Sequence, residues 1–267
     1  MKAVAIARAS DALKVQKSVV IDNTNLTPRA RKQWKGLAIR LGAAYEEHEI
    51  DTSVAECVRR DRLREGKARV GRAVIERMAL FNGWIDWADY KGEFVICDVD
   101  GTLADCSHRL PYLQPRYAHK LNCPVNQDRP VMFRVPDGTC ESCGTKPHKD
   151  WDAFFAACKD DAPIAPIVRL VQEYFNYYNL IIVSGRPVDQ CGIATEEWLA
   201  RHEIYPLHLF LRGGPHDHRP DYEVKQEILD LLPKDRIAYV IDDRPQVLRM
   251  WQANGLTTLA VGALKEF

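Results

Sequence analysis

The 267-residue sequence predicts an α/β protein built on a parallel sheet, and three observations predict it. Phe94–Cys97, Leu180–Val183 and Ile237–Ile241 are apolar runs of strand length, and helical patterns separate them. Each run empties into polar residues: Asp98-Val99-Asp100-Gly101-Thr102, then Ser184-Gly185-Arg186, then Asp242-Asp243-Arg244. Strands alternating with helices form a parallel sheet. Open sheets of this kind carry their chemistry at the carboxyl ends of the strands.

The elements follow from local pattern. Residues 3–15 read as a helix, and Lys17–Asp22 as a short β-branched strand. Thr27-Pro28 starts a helix, with Thr27 as N-cap and Pro28 at the first helical position, and Gly42 ends it. Tyr45–Ile50 alternates like a half-exposed strand, and Thr52/Ser53 open a basic helix. Residues 81–93, with Trp84, Trp87 and Tyr90, form an aromatic connector. After the first apolar strand, 111–149 is irregular and longer than ordinary connections. Helices are expected at Asp150–Phe155, after Pro166, through Trp198, from Asp221 to Leu232 and from Val247 to Ala253. Further strands are expected at Leu207–Leu211 and Thr258–Val261.

Composition narrows the function classes. Hydrophobic content of 46% and charged content of 28% describe an ordinary globular chain. Lys+Arg and Asp+Glu are both 37, so no global field draws it to nucleic acid. Residues 29–77 are locally basic, with 13 Lys/Arg against 8 Asp/Glu. That segment suits either phosphate contact or a solvated helix face. No apolar run approaches the roughly 20 residues of a membrane span. Met1–Ile6 lacks a signal-peptide core, and Cys57, Cys97 and Cys158 sit inside apolar elements. A cytoplasmic location is expected.

The polar ends of the three strands carry the chemistry. Asp98 and Asp100, at spacing i, i+2, start on one side of the strand, and Gly101 lets the backbone turn away. With Asp242 and Asp243, up to four carboxylates converge, and they repel unless a cation offsets them. Oxygen-only ligands select a hard ion, Mg²⁺ first. A serine, a lysine and arginines at the same edge suit a phosphoryl group. Acids, a hard cation and phosphate donors together indicate phosphoryl transfer.

Asp98–Leu103, Ser184, Lys225 and Asp242-Asp243 resemble, in order, the four motifs of the haloacid dehalogenase (HAD) phosphotransferase superfamily. That resemblance implies a HAD-like, Rossmannoid parallel sheet flanked by helices. Asp98 would be the nucleophile that forms a phosphoaspartate, and Asp100 would protonate the leaving alkoxide and then activate water. Ser184 and Lys225 would hold the transferring phosphoryl group. Asp242 and Asp243, with Asp98 and the Asp100 carbonyl, would hold Mg²⁺.

Val240–Val247 with Met250-Trp251, plus Val183–Arg186, is similar to the phosphatase domain of bacteriophage-type polynucleotide kinase/phosphatases. Asp22–Pro28 followed by Trp34 resembles the later part of that family's 5′-kinase domain, and Arg59/Arg60 fall where it has lid arginines. The resemblance places Arg109 and Arg186 on substrate phosphate. It implies a partial P-loop-kinase-like α/β fragment over 1–88 and a phosphatase domain over 92–267 with 111–149 as an insertion. No G-x-x-x-x-G-K-[ST] occurs, so 5′-kinase activity is not expected from this chain alone, and measurable 5′-phosphorylation by it would overturn this. A separate chain completing the kinase domain, or a homo-oligomer, is an expected partner, with host cytoplasm as the location if phage-encoded.

The expected activity is an Mg²⁺-dependent polynucleotide 3′-phosphatase, cleaning 3′-phosphate or 2′,3′-cyclic phosphate ends of DNA or RNA in repair. The separation of 41 positions from Ser184 to Lys225 leaves no room for a large lid, which suits a polymer end, although 111–149 would itself serve as a cap. Two alternatives stay open. One is a HAD phosphatase acting on a nucleotide or small phosphoester, and the other is a non-catalytic end-binding or partner-binding subunit. Within the insertion, Cys123, Cys140, Cys143 and His148 form C-x₁₆-C-x₂-C-x₄-H, a spacing that suits structural Zn²⁺, with His119 as another fourth ligand. A loop with incidental thiols is the alternative. Cys106 and His108 read as loop residues, and His216 and His218 as surface or phosphate-adjacent ones.

Overall fold

A computed structural model describes residues 2–22, 24, 27–114, 140, 143–174, 177–214 and 217–262. Its contacts divide the chain into two compact units, 1–53 and 54–267. The first holds α1 (Lys2–Lys14) and α2 (Pro28–Arg40). Thr27 caps α2 by accepting from the Ala30 N–H at 3.2 Å, and Pro28, which has no N–H to satisfy, occupies the first turn. Lys17–Asp22 and Tyr45–Ile50 are not strands, contrary to expectation. A strand exists only where a neighbour accepts its backbone hydrogen bonds. Here both segments run in the open, with Val20 89% and Ile50 83% exposed.

The second unit opens with α3 (Val54–Arg62) and α4 (Arg72–Phe81). Its strands and helices then come as β1 (Phe94–Cys97), β2 (Ala104–Asp105), α5 (Trp151–Ala156), β3 (Ala162–Pro163), α6 (Ala165–Tyr174) and β4 (Asn179–Pro187). They continue as α7 (Val188–Arg201), β5 (His208–Arg212), α8 (Asp221–Leu229), β6 (Ile237–Asp242), α9 (Pro245–Ala253) and β7 (Thr258–Ala260). The main sheet is parallel throughout, in the order β5-β4-β1-β6-β7. Strand β1 lies at its centre, with Cys97 opposite Ile182 of β4 and Ile241 of β6.

Side chains alternate along the strands, so the sheet buries two faces. Phe94, Ile96, Ile181, Val183 and Phe210 pack with Val224 and Ile228 of α8 and Trp251 of α9. Val95, Cys97, Leu180, Ile182 and Leu209 pack with Val168 of α6 and Trp198 of α7. Burial on both faces explains why the strands are apolar runs rather than alternating ones.

Strand β5 is an edge, and α4 closes it with side chains. Arg72 Nη2 donates to the Pro206 and Leu207 carbonyls at 2.8 and 2.6 Å. Glu76 Oε2 accepts from the Leu209 N–H at 2.7 Å, and Arg77 Nη1 donates to the Leu211 carbonyl at 3.0 Å. Three side chains within two turns of α4 thus satisfy backbone groups that an exposed edge would offer to another chain. The sequence places the domain boundary at 88–92, whereas the contacts group α3 and α4 with this sheet.

The antiparallel pair β2–β3, with Ala104 opposite Pro163 and Asp105 opposite Ala162, brings the two ends of the 106–161 excursion together beside β1. No helix of the described residues is long and apolar enough to cross a membrane.

Candidate active site

The carboxyl ends of β1, β4 and β6 lie side by side at the centre of the sheet. Asp98 follows β1 and ties itself to β6 through a backbone bond to the Ile241 carbonyl at 3.0 Å. Gly101 then takes φ +82°, and a Cβ there would overlap the Asp243 carboxylate, so both backbone freedom and space require glycine. The turn closes with the Gly101 N–H on the Ala104 carbonyl at 2.8 Å. Ser184 is buried two residues beyond the Cys97–Ile182 pair.

Asp98, Asp242 and Asp243 are buried and offer carboxylate oxygens that all lie within 4.8 Å of one another. Such a group is costly without a cation. One is built in: Lys225, fully buried on α8, places Nζ 2.8 Å from Asp242 Oδ2, 3.0 Å from Asp98 Oδ1 and 3.4 Å from Asp221 Oδ2. These acids hold the lysine pKa above its ordinary value in spite of burial. Burial pushes the Asp98 carboxyl well above the usual range, against the Lys225 charge. Burial, then Asp242, raises Asp243 to about 6.

The hydrogen bonds of this group fix its shape. Asp242 Oδ2 accepts from the Trp251 indole at 3.2 Å as well as from Lys225, and Asp242 Oδ1 accepts from the Arg244 N–H at 3.2 Å. Thr102 Oγ1 donates to Asp243 Oδ1 at 3.3 Å. Among the described residues, Asp98 Oδ1 accepts no hydrogen bond and keeps the ion pair with Lys225. An oxygen-only donor set with a buried, underbonded carboxylate fits a hard divalent cation.

Asp100 is in a different environment. Its Oδ1 accepts from Arg109 Nη2 at 2.7 Å and from Arg186 Nε and Nη2 at 2.8 and 2.5 Å. Both arginines also hold Asp161: Arg109 Nε reaches Oδ1 at 2.7 Å, and Arg186 Nη2 reaches Oδ2 at 2.5 Å. Burial alone would raise the Asp100 pKa, but the charges of Arg186 and Arg109 outweigh it and bring it to about 2.

The expected charged residues of the phosphatase site thus fall into two clusters, with buried Ser184 accepting from the Arg186 N–H at 3.5 Å. Asp98, Asp242, Asp243 and Lys225 form one, and Asp100, Arg109 and Arg186 form the other, bridged by the backbone of 98–100. The Asp100 side chain stands with the arginines, and it is the Asp100 carbonyl that the family resemblance assigns to metal. Asp161 and Asp221 were not anticipated. Asp221 carries a legible signal, four residues before Lys225 on one face of α8. Asp161 ends a short 3₁₀ turn and offers none. His108, read as a loop residue, bonds Asp161 Oδ1 at 2.9 Å.

Of the cysteine–histidine set, Cys123 and His119 lie outside the described residues, as does His216. Cys140 is buried in a tight turn, with the Gly144 N–H on its carbonyl at 2.7 Å, and His148 is exposed. Among the described residues, Cys140, Cys143 and His148 do not assemble a metal-ligating group.

Two carboxylates after a central parallel strand, a buried lysine and an acid pair after the neighbouring strand define a phosphatase of the haloacid dehalogenase type. Residues 128–264 match the family model described as "Polynucleotide kinase PNKP phosphatase domain", and the chain belongs to that family. Residues 1–81 match an AAA domain model. A "Putative bifunctional polynucleotide kinase/RNA ligase" of Autographa californica nuclear polyhedrosis virus is 24% identical over 253 residues. That match takes in 90% of this chain but only 30% of the relative's length. Among solved structures, a chain of a "Pnkp1/Rnl/Hen1 complex" is 20% identical with TM-score 0.45, covering 100% of this chain and 79% of that one. CbbY from Rhodobacter sphaeroides is 16% identical with TM-score 0.39, covering 66% and 91%.

Proposed function

We propose that this protein is an Mg²⁺-dependent polynucleotide 3′-phosphatase that removes 3′-phosphate, or opened 2′,3′-cyclic phosphate, from nucleic-acid ends through a phosphoaspartate on Asp98. The observation that carries the reading is the buried group Asp98, Asp242 and Asp243 beside Lys225, set next to an arginine pair. The family match and the viral relative, named as a polynucleotide kinase/RNA ligase, support a nucleic-acid end as the substrate.

Asp98, Asp242 and Asp243, with the Asp100 carbonyl, would hold the ion. A bound Mg²⁺ would neutralise these carboxylates and draw negative charge from the phosphoryl oxygens. The carboxylate of Asp98 attacks phosphorus, the P–O bond to the 3′ carbon's oxygen breaks, and Asp100 delivers a proton to that oxygen. Asp100 then takes a proton from water, which attacks the aspartyl phosphate and releases inorganic phosphate and free Asp98. Ser184, Lys225, Arg109 and Arg186 hold the phosphoryl oxygens throughout, as bidentate or point-charge donors.

The arginine pair gives this sequence its timing. With no phosphate to hold, Arg109 and Arg186 keep Asp100 ionised, a state in which it cannot act as an acid. When their donors turn to the substrate phosphate, the Asp100 pKa climbs towards its ordinary value and the carboxyl can carry a proton.

An end-labelled 3′-phosphorylated oligonucleotide, incubated with and without Mg²⁺, tests the reading. Release of phosphate only with the ion, and none from Asp98→Asn, is the expected result. Equal kcat/KM on the oligonucleotide and on the matching mononucleotide would remove the case for a polymer end.

A further inference from the structure

Helix α5 sits against the arginine pair. The Arg109 guanidinium lies 4.3 Å over the Phe154 ring, and its Nη1 donates to the Phe154 carbonyl at 3.3 Å. Phe154 meets Trp151 edge to face, with ring centroids 5.7 Å apart. Trp151 is 47% exposed and stacks on Phe155, with centroids 5.6 Å and planes 24° apart. Lys149 Nζ lies 5.8 Å from the centre of the same indole. Ring contacts therefore run from the guanidinium beside Asp100 to a half-exposed indole, with an ammonium over its ring.

The helix that carries this ring is fixed on several sides. Asp150 Oδ1 accepts from the Ala153 N–H at 3.0 Å, and the Asp150 N–H donates to the Tyr112 carbonyl at 3.0 Å. Gln190 of α7 donates to Asp152 Oδ1 at 2.9 Å. The two carboxylates flanking Trp151 thus have partners of their own.

A half-exposed indole, joined by ring contacts to a phosphate-binding arginine and accompanied by a cation that can turn to a phosphate, has the chemistry of a base-stacking platform. Every nucleobase offers a π face, so such a platform holds a strand without reading its sequence. The ammonium suits the phosphodiester next to that base. An exposed tryptophan with no connection to the site would be unremarkable, but this one is joined to Arg109 through Phe154.

We propose, resting on the nucleic-acid reading above, that Trp151 is the platform for the nucleobase adjoining the target phosphate, with Lys149 on the neighbouring backbone phosphate. This makes Trp151 a specificity residue: it favours a polynucleotide end over a small phosphoester without touching the reacting atoms.

The test compares wild type, Trp151→Ala and Trp151→Phe on two 3′-phosphorylated oligonucleotides, one intact and one abasic at its 3′-terminal residue. Stacking of this kind, at the low end of its usual strength, sets the expected effect at about tenfold. Trp151→Ala should raise KM for the intact strand by that factor and leave kcat unchanged, while Trp151→Phe keeps most of the affinity. The abasic strand should bind wild type as weakly as the intact strand binds Trp151→Ala, and the variant should lose nothing further on it. Trp151→Ala with wild-type KM on the intact strand overturns the platform and leaves the phosphatase reading in place. So does an equal loss on both strands, which would mark a structural role. Wild type that hydrolyses neither strand overturns the phosphatase reading itself.

Discussion

Arg186 donates twice to one oxygen of Asp100, through Nε at 2.8 Å and Nη2 at 2.5 Å, and Arg109 adds a third bond to that oxygen. The Asp100 charge is therefore part of the fold as well as of the proposed chemistry. Its pKa of about 2 lies below the 3.8 of an ordinary aspartate. A carboxyl depressed in the folded state contributes stability above its unfolded pKa and loses it as pH falls through the folded one. Asp100→Asn should therefore destabilise the protein at pH 7 by about 2 kcal/mol, the size of that depression. The gap between variant and wild type should narrow as pH drops from about 4 towards 2. Urea unfolding at a series of pH values measures it, and a gap that widens on acidification would contradict the assignment.

Lys225 supports three carboxylates from a fully buried position. Lys225→Met has nearly the right shape but leaves Asp98 and Asp242 buried without their cation. Removing one partner from such a set costs roughly 3–5 kcal/mol. The melting temperature should fall accordingly, and phosphatase activity should be lost with it. An unchanged melting temperature would show that water already reaches these acids.

Ion binding should be visible without turnover. A ligand that binds only the folded state raises stability by mass action, so Mg²⁺ at about a hundredfold over its Kd should lift the melting temperature by about 5–10 °C. Asp243→Asn removes one of the three converging carboxylates and should blunt that rise. An equal shift in wild type and variant would place the ion elsewhere.

The α4 clamp on β5 makes a separate prediction. Glu76→Ala leaves the buried Leu209 N–H without an acceptor, at a cost of about 2 kcal/mol, whereas Glu76→Gln keeps a carbonyl there and should cost less. A chain cut to 92–267 exposes the whole β5 edge and should self-associate, while 54–267 should stay monomeric to the same concentration. Light scattering on the two fragments distinguishes them, and a monomeric 92–267 would show that α4 is dispensable.

The sheet was legible because its strands are buried on both faces. Phe94–Cys97, Leu180–Val183 and Ile237–Ile241 cannot be read as anything half exposed, and the polar residues that end them could not sit elsewhere than at the sheet edge. Lys17–Asp22 is β-branched and Tyr45–Ile50 alternates, yet a strand is a property of a pair, and local pattern does not say whether a neighbour exists. Lys225 took its particular role from the family motif, since one lysine on an amphipathic helix looks like any other. Asp161 stayed hidden because its partners, Arg109 and Arg186, lie 52 and 25 residues away in the chain. Local pattern carries no information about contacts at that separation.

The position of Lys225 has a consequence for how the protein matures. An acid cluster that depended on a captured ion would leave the newly made chain waiting for one. Here a covalently attached ammonium already sits among the acids, so folding of the nascent chain should not wait on an ion. On the proposed Mg²⁺-dependent reading, supply of the ion would then govern how fast the finished protein works, and not whether it folds.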